Sequence, residues 1–583
     1  MLHAGRLLTG QHHRDAVDTL LQRRADIACQ EEVLLHKLHE LRRSTLDIDE
    51  LLNARLPVNS LPVEVLVDIF ALVQAEPPRY DYGKNSYRIT WLPILAVCRH
   101  WRRVMCSNPG FWRTIEVTST HEWLRISLER CAHVHADVTL RDNDLNHDIW
   151  PVLAKGASTI RSLTIRHLEL SWRMSVIALL VEHQWPVLQR LDIESGLRFS
   201  PLRDNLPAVD IILTTESFPS LRSLCLRSDG FCPPTERSLY RHLRTLDLRS
   251  CVWAMPLGQF LDVLESMTHV EILHLHKVSW HMAEVPDNLQ ARVVSLSCLR
   301  SLTLESCSYL PTTCILNCLR LPAVTFISLS ICISDEDPQG IIAAIPQDRS
   351  AVFPMLSAIT SAEVSAEHDS GGVYGLRGTN AANSHTAAIQ LDTSEYVADD
   401  WPFSLSRALA DFVNVFSHSP ITALAVSGEY SMVSVTNWVD VFAHFPNLER
   451  IDLRLEEPES THTFWMALSQ TPSTSHHGAV YCPRLRTVRT IGSHCVVSMG
   501  ESAFWAMPRA LRTRKDRGHS LEKLEINSGS EGDDDCLGKE NTAYLAQVEA
   551  CVEGLVIGLL DESGKNYEVG VLGGMPVFPK TGY

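Results

Sequence analysis

Leu243-Arg244-Thr245-Leu246-Asp247-Leu248-Arg249-Ser250-Cys251 is one copy of a pattern that recurs along this chain of 583 residues. Its apolar residues follow L-x-x-L-x-L. The alternation through Leu246, Asp247 and Leu248 has the period of a strand, with the leucines on one face. The same pattern stands at Ile160-Leu163-Ile165, Leu188-Leu191-Ile193, Leu221-Leu224-Leu226, Val270-Leu273-Leu275, Leu299-Leu302-Leu304 and Val324-Ile327-Leu329. The middle apolar residues of these seven units are 22 to 33 residues apart. A repeat of that period marks an array in which each unit buries its apolar face only against its neighbours.

The pattern resembles the leucine-rich repeat. Cys251, Cys307 and Cys332 each stand five residues after the middle apolar residue, at the Asn/Cys position of that consensus. A side chain there points into the turn, so these thiols are expected to be buried and unpaired. Met174–Val181 and Leu257–Leu264 have helical patterns between strand cores. Strand, turn, helix and turn per unit predict an α/β fold, a curved leucine-rich-repeat-like solenoid over 116–360 with its strands on the concave side. Residues between the leucines are expected to line that concavity. They include Arg222, Arg244, Asp247, His274, His276, Arg300, Thr303 and Glu305. Arg222, Arg244 and Arg300 are the substrate-binding candidates, because guanidinium forks suit carboxylates and phosphates. Pairing with Asp247 and Glu305 instead is equally open.

Regularity fails after residue 360. Residues 361–400 hold seven acidic side chains against one basic, Arg377, with Gly371, Gly372, Gly375 and Gly378 in the middle. This composition predicts a flexible acidic linker or loop outside the packed core. The repeat returns at Ile421-Leu424-Val426, Leu448-Ile451-Leu453, Leu485-Val488 and Leu521-Leu524-Ile526, so irregular repeats are expected over 401–560. Residues 528–541 read as a second acidic loop, and Val548 to Leu560 as a terminal capping helix.

Upstream, Leu61-Pro62-Val63-Glu64-Val65-Leu66-Val67-Asp68-Ile69-Phe70 reads as a helix entered through proline, with a carboxylate in its first turn. Val97, Cys98, Trp101 and Val104 fall on one face of a second helix, and Asn108-Pro109-Gly110-Phe111-Trp112 stops it. Leu61-Pro62, the helix after it and Cys98-Arg99-His100-Trp101 resemble the F-box, here at 56–115 as a three-helix module. Residues 76–90 are longer than the usual connection. The resemblance implies docking on a Skp-type adaptor, and through it a cullin, by Leu61, Pro62, Val65, Leu66, Ile69, Val97, Cys98 and Trp101. It makes the chain the substrate-receptor subunit of a ubiquitin ligase rather than an enzyme. A scaffold acting without a cullin is the alternative, and a repeat-containing enzyme with a site in 361–400 or 528–541 is a remoter one, weakened by the lack of a nucleophile, base or metal set.

Residues 14–55 read as one long helix before that module, an arrangement that resembles fungal-type F-box proteins. Leu20, Ile27, Leu34, Leu41 and Ile48 fall at steps of seven, beside a half-apolar row of Arg24, Glu31, Leu38, Thr45 and Leu52. Both self-association as a coiled coil and a helix lying on another surface fit these rows.

Formal charge is −17, which argues against nucleic acid or an anionic membrane as the main partner. No run approaches 18 apolar residues and residues 1–13 lack a signal-peptide core, so a cytoplasmic or nuclear protein with 16 reduced cysteines is expected. Ser563-Gly564-Lys565 lacks the glycines of a phosphate loop, and Cys314 with Cys318 lacks a second metal-ligand pair. His476-His477 reads as loop. Arg509, Arg512, Arg514, Lys515 and Arg517 read as a solvated helix end more readily than as a nuclear-import signal. No cofactor or metal is expected.

Overall fold

The computed structural model describes residues 4–75, 79–81, 86–117, 121–131, 134–141, 147–168, 172–195, 209–227, 231–253, 255–280, 292–332, 340–367, 373–380, 382, 385–392, 404–455, 461–472, 479–492, 501–528, 539–560, 566–569, 571–572 and 575–576. It forms two compact units, Met1–Ile160 and Arg161–Tyr583.

The first unit opens with α1, Ala4–Ala54. No proline interrupts those 51 residues, and Pro57 ends the helix by restricting the residue before it. After a 3-10 turn at Pro57–Ser60 comes α2, Val63–Gln74, with Pro62 at the N-cap and Glu64 in the first turn. The long connection forms a two-stranded antiparallel ribbon, Arg79–Asp81 with Ser86–Arg88. The middle helix is the single turn α3, Ile94–Val97. It does not continue into α4, Arg99–Ser107, because Cys98 is extended (φ −156°, ψ 167°). The Cys98 sulfur caps α4 by accepting from the Trp101 amide at 3.5 Å. The single helical face expected from Val97 to Val104 is therefore broken at Cys98. Strand–helix alternation begins in this unit: Thr114–Glu116 pairs in parallel with Ala136–Arg141, and helices follow at His121–Arg130 and Ile149–Gly156.

In the second unit the leucine pattern sets the register. Leu191, Leu224, Leu246, Leu273, Leu302 and Ile327 are direct partners across six parallel strands, as are Ile193, Leu226, Leu248, Leu275, Leu304 and Leu329. All twelve are buried. A slip of one residue would turn every leucine out of the core, and the shared L-x-x-L-x-L spacing, which sets like positions side by side, selects this pairing over even shifts. Helices such as Leu257–Ser266 cover the leucine side with Phe260, Leu261 and Leu264. The fold is a mixed α/β solenoid, as the repeat predicts.

His167, Ser250, Lys277 and Ser306 all have left-handed φ, between 47° and 58°, four residues after the middle apolar residue of their units. A non-glycine residue there costs on the order of 1 kcal/mol, but it turns the next side chain inward. Those next side chains include Cys251 and Cys307. The Cys251 thiol donates to Leu226 O at 3.4 Å and that of Cys307 to Leu275 O at 3.6 Å. Both are buried as expected, Cys332 is half-buried, and none of the three is in a disulfide.

The expected flexible linker at 361–400 is corrected. Ser361–Glu367, Val373–Asn380 and His385–Asp392 are strands of the main sheet. Ile359-Thr-Ser-Ala362-Glu-Val364 is a further repeat whose middle position is alanine, and its strand pairs in parallel with Ala423–Gly428. Between it and Phe326–Cys332 lies an inserted hairpin. His385–Asp392 pairs in parallel with Phe326–Cys332, and Val373–Asn380 runs antiparallel between its two neighbours. Gly378 permits this packing: a Cβ there would lie 2.8 Å from side-chain atoms of Ile359 and Phe416. Residues 368–372 and 393–400 lie outside the described residues.

The ladder continues through Arg450–Leu455, Thr487–Gly492 and Lys523–Ser528. The expected capping helix over Val548–Leu560 is also corrected. The helix is Lys539–Glu549, and Leu555–Leu560 is a strand paired with Lys523–Ser528. β-Branched Val556 and Ile557 between glycines suit a strand. Most of the acidic 528–541 segment, Ser563-Gly564-Lys565 and His476-His477 lie outside the described residues.

Candidate interaction surfaces

α2 is apolar on two sides, and its period divides them. Leu66 and Phe70 point into the module. Phe70 packs 4.9 Å from the Trp101 ring and 6.4 Å from Phe111. The Trp101 indole donates to Asn59 Oδ1 at 2.5 Å, and Gln74 Nε2 donates to Phe111 O at 2.7 Å. On the other side, Val65 and Ile69 are 41% and 40% exposed, Leu72 is 74% exposed, and Val97 of α3 is 55% exposed.

The eight predicted docking residues therefore separate. Pro62, Val65, Ile69 and Val97 are exposed; Leu61, Cys98 and Trp101 are half-buried; Leu66 is core. Leu66 holds the module together rather than offering a surface, because it shares the Phe70 side of α2. Leu56, Val58, Val63 and Leu72 are further exposed apolar residues beside the motif, which the sequence marked only by their hydrophobicity. At the edge of this module, Arg99 bridges Asp47 (3.2 Å) and Glu50 (2.8 Å) of α1, and Arg103 reaches Glu50 at 3.3 Å. The Arg99 and Arg103 guanidinium groups hold the Glu50 carboxyl below its ordinary pKa.

An F-box-like family model matches residues 58–118. The match spans the F-box-like helices α2 to α4 and the aromatic core just described. Among solved structures, the leucine-rich repeat-containing protein LegL7 from Legionella pneumophila is similar over 78% of this chain and 92% of that chain, with 10% identity and a TM-score of 0.16. The comparison with curated proteins gave no match.

The arginines chosen from the repeats occupy a different place from the one expected. Arg222, Arg244 and Arg300 stand just before their strands, in one row of backbone hydrogen bonds. The Arg244 amide donates to Arg222 O at 2.7 Å, Glu271 N to Arg244 O at 2.8 Å and Arg300 N to Glu271 O at 2.8 Å. All three side chains are exposed on this strand-start edge, and Arg244 pairs with Glu271 at 3.1 Å. Period two places Thr245, Asp247 and Arg249 on the strand face, and puts Arg244 off it.

The strand face itself carries a closely paired charge cluster. Arg227 lies 3.2 Å from Asp247, 3.7 Å from Glu194 and 3.8 Å from Asp192. Arg249 bonds Asp247 at 2.9 Å, and His274 lies between Asp247 (3.6 Å) and Glu305 (3.4 Å). Asp192, Glu194 and Asp247 are buried, so the arginines offset carboxylates that desolvation would otherwise penalise. Burial, with Asp192 and Asp247 alongside, pushes the Cys225 thiol up to about 11. Burial also lowers the His276 pKa, with Glu305 opposing it.

Cys314 and Cys318 share a helix. Cys318 is buried, and burial raises both thiol pKa values. Among the described residues no group of three or more His, Cys, Asp or Glu side chains is placed to hold a metal ion. The basic cluster at 509–517 is no simple solvated end. Arg514 is fully buried and donates to Tyr481 O at 2.7 Å and Cys482 O at 3.0 Å, while Arg517 donates to Ala479 O at 3.1 Å.

Proposed function

We propose that this chain is the substrate-receptor subunit of a Skp–cullin–F-box ubiquitin ligase, of the fungal-type arrangement, acting in the cytoplasm or nucleus. The observation that carries the reading is the exposed apolar set Val65, Ile69, Leu72 and Val97 on the module that the F-box-like family model matches. Burying such side chains against a partner is favourable, by roughly 1.5–3 kcal/mol for a side chain that passes from fully exposed to fully buried and proportionately less for these partly covered ones. The Skp-type adaptor is the partner for this face, and a cullin joins through the adaptor. The receptor does no chemistry itself: holding substrate near a ubiquitin-loaded enzyme makes the transfer effectively intramolecular. The solenoid is the substrate arm, with Arg222, Arg244 and Arg300 on its strand-start edge as the candidate contacts.

The test is capture of a recombinant Skp-type adaptor by the full chain, compared with Val65→Asp/Ile69→Asp. The variant is expected to lose the adaptor while keeping its far-ultraviolet circular dichroism. Full capture by a normally folded variant would refute the docking face. A chain that captures the adaptor but never a cullin would act as a scaffold instead. For the substrate arm, changing Arg222, Arg244 and Arg300 together to Ala should remove non-adaptor partners, and their full retention would move substrate recognition elsewhere.

A further inference from the structure

We infer that α1 is a self-association element that pairs antiparallel with α1 of a second copy of this chain. Every residue from Val17 to Asp49 is exposed. The heptad row Leu20, Ile27, Leu34, Leu41 and Ile48 is 57–67% exposed. Leu21, Leu35, Leu38 and Leu52 flank it and are exposed as well. A helix of this length exposing an apolar stripe along most of its turns is poorly stable in water, since helices in proteins depend on burying such a face.

Two observations indicate what covers the stripe. The first is how the F-box-like module grips the helix. Arg99 and Arg103 hold Asp47 and Glu50, which lie on the side of α1 away from Ile48 and Leu52. The module thus anchors the outer side and leaves the heptad seam open. The second is the charge in the seam. Arg24 and Glu31 occupy successive positions of the second heptad row. In a parallel pair each would meet its own copy, placing Arg24 against Arg24 and Glu31 against Glu31. In an antiparallel pair with Ile27 and Glu31 near the centre, Arg24 and Glu31 of opposite chains fall in adjacent layers, twice by symmetry. Like charges inside the seam select against the parallel arrangement and opposite charges there select for the antiparallel one; Arg23 and Lys37, which this register brings near each other at its flank, stay in water, where repulsion is weak. The same arrangement brings Leu21 of one copy beside Leu35 of the other.

The experiment is sedimentation equilibrium on the full-length protein over a concentration series. Wild type is expected at twice the monomer mass. Leu34→Asp/Leu41→Asp should return it to the monomer with adaptor capture unchanged. Arg24→Glu should weaken the dimer by roughly tenfold or more, and Arg24→Glu/Glu31→Arg should restore it. A wild-type chain that stays monomeric up to about 100 µM overturns the proposal. So does a dimer that survives Leu34→Asp/Leu41→Asp, or one indifferent to Arg24→Glu.

Discussion

The Tyr374 hydroxyl donates to Asp411 Oδ2 at 2.8 Å, joining the inserted strand Val373–Asn380 to the helix Leu405–Phe416. The same carboxylate oxygen accepts from the Ile341 amide at 3.0 Å. Tyr374→Phe removes the donor and leaves a buried carboxylate short of a partner. It should destabilise the solenoid by about 1–3 kcal/mol, read as a lower denaturation midpoint. Burial is the largest influence on Asp411 and raises its pKa, with Tyr374 opposing. A carboxyl that holds its proton more tightly when folded adds stability in acid, below its unfolded pKa, and loses it as pH rises through the folded value. Asp411→Asn should therefore flatten that part of the stability–pH curve; an unchanged slope would place its origin elsewhere.

If the hairpin is core, its amides should exchange slowly. Hydrogen exchange is expected to show Val373–Asn380 and His385–Asp392 protected to the level of Phe326–Cys332. Gly378→Ala, which forces a methyl against Ile359 and Phe416, should cost about 1–3 kcal/mol. Rapid exchange in both strands would remove them from the ladder.

The two sides of α2 predict opposite phenotypes. Phe70→Ala should destabilise the F-box-like module by about 3–5 kcal/mol, since it leaves a cavity beside Trp101 and Phe111. Ile69→Ala and Val65→Ala should change stability by no more than about 0.5 kcal/mol yet weaken adaptor capture. A binding loss confined to the destabilised variant would show that the exposed side is inert.

Thiol reactivity should follow burial. Cys29 and Cys298 are exposed, whereas Cys251 and Cys307 are buried, and burial pushes the Cys307 thiol up to about 11. At pH 8 an alkylating reagent should modify the first pair promptly and the second only after denaturation. Mass spectrometry of the labelled peptides reads this directly. Prompt labelling of Cys307 in the folded protein would contradict its place under the strand-exit turn.

The leucine register was legible in the sequence, because alternation forbids odd shifts and the L-x-x-L-x-L spacing shared by neighbouring units pairs like positions with like. So were the long first helix, with no proline before Pro57, and the Leu61-Pro62 to Trp112 motif. The tertiary structure alone decided that Leu66 is core and Val65 and Ile69 are surface: α2 is apolar on both sides, and periodicity cannot say which side finds Trp101. It alone decided the inserted hairpin, since the strand His385–Asp392 pairs with Phe326–Cys332 at a separation of 60 residues and local composition carries no trace of so distant a partner. It moved Arg222, Arg244 and Arg300 to the strand-start edge and buried Arg514, because a charge reads as solvated until the backbone carbonyls that receive it are brought alongside.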